Sequence, residues 1–158
     1  MYLLMLTLLS PISFAKEPLT SVHHIIKHTE RKYKLPAGIL SAIIKVESNG
    51  QVNAVNHDDG TQAQKSQGKK IKSYGLMQIQ LATARHMKYK GTAEALRTAV
   101  VNVDIGARYL RYLLDGHGQD LALAITCYNS GEHSRGCLKK RYSPHVGKVL
   151  NAWKNQRK

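Results

Sequence analysis

The sequence predicts a single, mainly α-helical domain of about five to seven helices, with one long polar loop after the second of them. Three observations lead there. Apolar residues recur at helical spacing over most of the chain. A length of 158 residues suits one compact core. No repeat, heptad seam or linker divides the chain, and its one extended polar run, Gln51 to Ser73, lacks a helical period.

Taken in order, the first fifteen residues, MYLLMLTLLSPISFA, carry no charged side chain and end in a small-x-small pattern, Ser13-Phe14-Ala15. They read as a signal peptide cleaved after Ala15, which leaves residues 16–158 as the domain. The run falls short of the roughly 20 apolar residues that a spanning helix needs, so no stable membrane anchor is expected. Thr20 or Ser21 can cap a first helix through Val22, Ile25, Ile26 and Tyr33. His24 and His28 have metal-ligand spacing but no third ligand nearby, and neither a metal nor a cofactor is expected. Pro36 opens the second helix, which Ser48, Asn49 and Gly50 close.

The polar loop that follows suggests a small hairpin near Asp58-Asp59-Gly60. Helical spacing then runs from Leu76 to about Met87, and again from Thr92, as N-cap, to Leu114. Asp120 caps an almost wholly apolar helix, Leu121 to Tyr128, that should be the centre of the core. After a polar stretch from Asn129 to Tyr142, Ser143-Pro144 starts a last helix through Trp153.

The net charge of +14 suits anionic partners: nucleic acid, an acidic membrane surface or an acidic polymer. An export signal and the lack of a basic stripe interleaved with aromatics count against nucleic acid. Cys127 and Cys137, ten apart, would sit in an oxidising compartment after export. A disulfide is the expectation and two free thiols the alternative, since spacing alone does not set their distance.

The second helix holds the most unusual residue. Glu47 shares a helical face with Leu40, Ile43 and Ile44. Ionised carboxylates are seldom buried without a partner, and burial favours the neutral acid, as a proton donor requires. The plainer reading is a glutamate at a helix end that reaches into water. Two further motifs lie at helix edges: Ser73-Tyr74-Gly75-Leu76-Met77-Gln78, a glycine turn opening directly into a helix, and Tyr128-Asn129-Ser130-Gly131. All three place polar groups where they can meet in one cleft.

Glu47-Ser48, Gly75-Leu76-Met77-Gln78-Ile79, then Asn102, Gly106, Tyr109 and Leu110, then Tyr128-Asn129-x-Gly131 occur in that order. In this the chain resembles the soluble-lytic-transglycosylase domain of the lysozyme-like superfamily, from about Leu35 to Trp153. The resemblance implies a lysozyme-like fold and cleavage of the β-1,4 bond between N-acetylmuramic acid and N-acetylglucosamine in peptidoglycan, leaving a 1,6-anhydro end. It implies Glu47 as the catalytic acid and base. It implies Ser48, Met77, Gln78, Tyr128 and Asn129, with Gly75 and Ser73 beside them, as residues lining the glycan groove. The periplasm would be the location. Size and leader look most like members that accompany secretion, conjugation or pilus machines, whose components would be further partners.

Most glycosidases need two carboxylates, and no second one lies in these motifs. Asp58, Asp59 and Glu132 sit on loops that can fold toward the cleft, so a hydrolytic muramidase stays open, as does a non-catalytic peptidoglycan-binding scaffold. Departures from the family pattern are the long loop from Asn53 to Ser73, Cys127 where a small residue is usual, and Glu132 where proline is common.

Overall fold

The computed structural model describes residues 21–59, 65, 68, 70–139 and 142–156, so the leader expected at residues 1–15 lies outside the described part. Ser21 caps α1 (Val22–Lys32) by accepting the His24 N–H. α2 (Ile39–Glu47) follows a left-handed Gly38, and its first N–H groups are met by a residue from α1. Glu30, 5% exposed, accepts from Gly38 N through Oε2 and from Leu40 N through Oε1, both at 2.9 Å. A buried carboxylate thus satisfies two of the donors that a helix start leaves open. Pro36 lies in the turn before α2 rather than inside its first turn; its carbonyl accepts from Ile39 N.

Three two-residue strands, β1 (Val55–Asn56), β2 (Ser73–Tyr74) and β3 (Ile79–Gln80), form an antiparallel sheet in that order. The expected hairpin is therefore wider than a turn at Asp58-Asp59-Gly60. Its arms pair Val55 with Tyr74 and Asn56 with Ser73, and Asp59 N–H reaches Ile71 O. Then come α3 (Leu81–His86), a 3-10 turn (Glu94–Arg97), α4 (Ala99–Gly116), α5 (Leu121–Ser130), a short α6 (Arg135–Leu138) and α7 (Pro144–Asn155).

The core lies among α2, α4, α5 and α7: α4 packs against α1 and α5, and α7 against both α2 and α5. Leu40, Ile43, Leu110, Leu113 and Ile125 are all at most 1% exposed there. α5 buries five consecutive residues, Leu123 to Cys127, as its apolar composition predicts, and Asp120 caps it by accepting Leu123 N–H at 2.9 Å.

Two predicted helices are interrupted. Residues from Leu76 do not enter a helix directly, because Gln78 adopts φ 48°, outside the right-handed helical region. The run from Thr92 breaks at Thr98, which is extended, and splits into the 3-10 turn and α4. One side chain accounts for both. Asn102, fully buried, accepts Met77 N–H at 2.7 Å and donates to Tyr74 O and Leu96 O, each at 2.7 Å. Backbone groups paired with an amide leave the helical ladder without an unsatisfied atom. The helix α6 went unread inside the polar stretch Asn129–Tyr142, where Ser134 accepts Cys137 N–H.

α1 and α4 are joined by an ionic cluster. Asp104 accepts from Lys32 at 2.6 Å, Tyr33 at 2.9 Å and Arg108 at 2.7 Å. Burial alone would raise the Asp104 carboxyl, but these three donors hold it below its ordinary value.

A larger concavity, about 900 Å³, runs between α1 and α4, lined by Lys27, His28, Arg31 and Val100 among others; it holds none of the motif residues.

Two outcomes are expected. Asn102→Ala leaves one buried donor, one buried acceptor and one half-buried acceptor without their amide partner, so urea unfolding should show a loss of about 3 kcal/mol. Asp104 titrates lower in the folded than in the unfolded chain, so its stabilisation is present at neutral pH and lost as pH falls through the folded value. Thermal melts across acid pH should therefore decline less steeply for Asp104→Asn than for the unsubstituted protein.

Candidate active site

α2 ends at Glu47, and the chain then turns away through Asn49 and Gly50, at φ 52° and 81°. The turn leaves the Glu47 side chain at the helix end, 15% exposed, on the wall of a cavity of about 250 Å³. Gln78, Tyr128 and Asn129 line the same cavity. Each of the three sequence motifs therefore contributes to one site.

The remaining predicted site residues stand behind this wall. Ser48 is 8% exposed and donates to Leu76 O at 2.8 Å, with Ile44 O at 3.2 Å, pinning the end of α2 to the glycine turn. Ser73, fully buried in β2, donates to Gln78 Oε1 at 2.7 Å. Gly75 sits at φ 73°; a Cβ there would lie 2.5 Å from the Asn102 amide, so only glycine fits. Its N–H donates to Ala54 O and its carbonyl accepts from Gln78 Nε2 at 2.9 Å. Met77 is fully buried, with its sulfur against Gly106, where a Cβ would come within 2.5 Å. Its carbonyl, not its side chain, serves the site by accepting from the Tyr128 hydroxyl at 2.9 Å.

Burial, with the Glu47 carboxylate second, pushes the Tyr128 phenol well above its ordinary value. Tyr109, whose ring is 5.4 Å from that of Tyr128, is pushed up to about 12 by burial and the nearby Glu132. Both stay protonated at neutral pH.

The structure separates the three loop carboxylates. Asp58 is exposed and paired with Lys65. Glu132 accepts from the Tyr112 hydroxyl at 2.7 Å and stands 3.9 Å from His86 Nε2. Asp59 lines the cavity with Glu47, held by Gln80 Nε2 at 3.0 Å.

His145, which the sequence reading did not single out, meets Glu47. Its Nε2 is 3.1 Å from Glu47 Oε1, and its side chain is 16% exposed. The two atoms are close but not aligned as a hydrogen bond, and the shielded Nε2 makes no other. Ser143-Pro144 had placed His145 in the first turn of the last helix, but no local pattern says which face of α2 that turn meets.

Cys127 and Cys137 are joined in a disulfide, Cα atoms 4.8 Å apart, tying α5 to α6. His117 Nε2 lies 3.4 Å from the Cys127 sulfur and 3.6 Å from that of Cys137. Among the described residues this is the one cluster of three side chains with metal-ligand spacing, and both its sulfurs are committed to each other.

A helical domain whose three motif segments close around one glutamate defines the class. The model of the transglycosylase SLT domain matches residues 24–147, and the chain belongs to that family. Among solved structures it is similar to the lytic transglycosylase Slt of Pseudomonas aeruginosa, determined as an inactive glutamate-to-glutamine variant, at 18% identity and a TM-score of 0.59. The match covers 85% of this chain and 23% of that one, so the likeness is one of fold with a part of a much larger protein.

Closing the loop from Cys127 to Cys137 stabilises the fold by about 3 kcal/mol in the chain-entropy model. Unfolding midpoints measured with and without reductant should differ accordingly, and a Cys127→Ala, Cys137→Ala protein should show no such difference.

Proposed function

We propose that the chain is a peptidoglycan lytic transglycosylase with Glu47 as its acid and base. The observation that carries this reading is the convergence of Glu47, Gln78, Tyr128 and Asn129 on one cavity. Family membership and the fold of the Pseudomonas aeruginosa enzyme support it.

In the proposed reaction the Glu47 carboxyl gives its proton to the glycosidic oxygen, and the bond from that oxygen to the muramic C1 breaks. The substrate's own N-acetyl oxygen shields the developing positive charge at C1. The Glu47 carboxylate then removes the proton of the muramic 6-hydroxyl, whose oxygen closes on C1. One 1,6-anhydro end and one free hydroxyl result, Glu47 is again protonated, and no water is consumed. A positioned acid and base contributes about 10²–10⁴-fold to such a step. Ser48, Ser73, Gly75 and Met77 act in this reading by shaping the wall and not by touching sugar. The work would be done in the periplasm after removal of residues 1–15, opening the wall locally for an envelope-spanning machine.

A second reading rests on Asp59, which lines the same cavity and offers the second carboxylate that a muramidase uses to activate water. Products separate the two. Digestion of purified sacculi, followed by mass spectrometry, should release anhydro-muropeptides, and Glu47→Gln should lower that release by at least about 10²-fold. Asp59→Asn should leave most of it. Reducing ends without anhydro-muramic acid, together with loss of activity in Asp59→Asn, would replace the lyase with the hydrolase.

A further inference from the structure

We propose that His145 is the positioning residue for Glu47: its Nε2–H holds Oε1, leaving Oε2 as the oxygen that gives and takes the proton. The proposal rests on the reading of Glu47 as the reacting acid and adds the group that orients it.

The ring is presented by a well-anchored element. Pro144 starts α7, and Ser143 N–H donates to Thr126 Oγ1 on α5 at 3.3 Å. At the far end of α7, Trp153 Nε1 donates to Ala37 O, before α2, at 2.8 Å. Val146 and Val149, at most 5% exposed, seat the helix on the core. α7 is thereby fixed against the helices that carry Glu47 and Tyr128.

Of the polar side chains beside Glu47, Asn129 is exposed, whereas those of Tyr128, Ser48 and Gln78 are committed elsewhere. The Tyr128 hydroxyl donates to Met77 O, and Ser48 Oγ to Leu76 O. Both ends of the Gln78 amide are engaged, by Ser73 and by Gly75. Among the described residues, His145 Nε2 is the shielded nitrogen left facing the carboxylate, 3.1 Å from it and with no other hydrogen bond. A buried polar atom without a partner loses its hydration with nothing in return, so such atoms are few in folded proteins. A small rotation of ring or carboxyl would satisfy both. Catalytic hydrogen bonds are often poorly aligned without substrate and tighten when it binds.

The chemistry suits an imidazole. Glu47 passes from acid to carboxylate and back within one turnover. An Nε2–H can donate to the carbonyl oxygen of the acid and, more strongly, to a carboxylate oxygen, so one contact serves both stages. The ring takes no proton away and leaves the balance of the reaction unchanged.

The test compares His145→Phe, which keeps a ring without a donor, with His145→Gln, whose amide N–H can reach Oε1. Circular dichroism and melting temperature first establish that each is folded. On soluble glycan strands, His145→Phe should lower kcat by about 10²-fold with KM unchanged, and His145→Gln should recover much of that loss. A folded His145→Phe with unchanged kcat, or a loss carried by KM alone, would overturn the proposal. A readout without turnover uses ¹⁵N-labelled histidine. The His145 Nε2 resonance should report a protonated, hydrogen-bonded nitrogen and should move in Glu47→Gln; a resonance unmoved by that substitution also overturns it. Absence of anhydro products from the unsubstituted protein, with the Nε2 coupling present, would reject the reaction and leave the pairing in place.

Discussion

The site depends on a single buried amide. Asn102 uses its oxygen and both of its amide hydrogens on three backbone groups, at Met77, Tyr74 and Leu96. In doing so it fixes the glycine turn against α4 and ends the 3-10 turn before that helix. The close approach needs two positions without Cβ, Gly75 against Asn102 and Gly106 against the Met77 sulfur. A buried polar network of this kind is stabilising only when every member is satisfied, and here each is.

That turn supplies the carbonyls on which the site is hung. Leu76 O receives Ser48, fixing the end of α2 and with it Glu47. Met77 O receives Tyr128, fixing the exit of α5 and with it Asn129. Two helices distant in sequence are thus registered to one short backbone segment. It follows that several motif residues act one step behind the cavity. Met77 and Ser73 are fully buried, and their identity reflects packing and hydrogen bonding rather than a face shown to a ligand.

Much of this was legible beforehand, for identifiable reasons. Helical period placed α1, α2, α5 and α7 close to their observed ends, and the capping roles of Ser21 and Asp120 follow from the lone pairs of short polar side chains. Glu47, Gln78, Tyr128 and Asn129, expected at helix edges, line one cavity. What escaped depends on contacts between distant segments. Apolar spacing after Leu76 is as helical as anywhere, yet an amide 25 residues away from Met77 captures its N–H and breaks the helix. Glu30, in a basic helix, gave no sign of capping α2, and His145 gave none of meeting Glu47. Each is a pairing whose register only tertiary packing sets.

The electrostatics of the cavity differ from those of the molecule. The whole chain carries +14, a field that favours anionic partners at long range and weakens as salt shortens the screening length. The cavity itself carries little of that charge. Its two phenols, Tyr109 and Tyr128, are held neutral by burial, reinforced by Glu132 and Glu47 respectively, so their hydroxyls remain donors. Its carboxyl groups are those of Glu47 and Asp59, the second engaged by the Gln80 amide. Net positive charge and the lining of the cavity thereby belong to different parts of the surface. Among the described residues no Lys or Arg lines the cavity, so the basic surface acts at a distance while the cavity meets a ligand with carboxyls, amides and phenols.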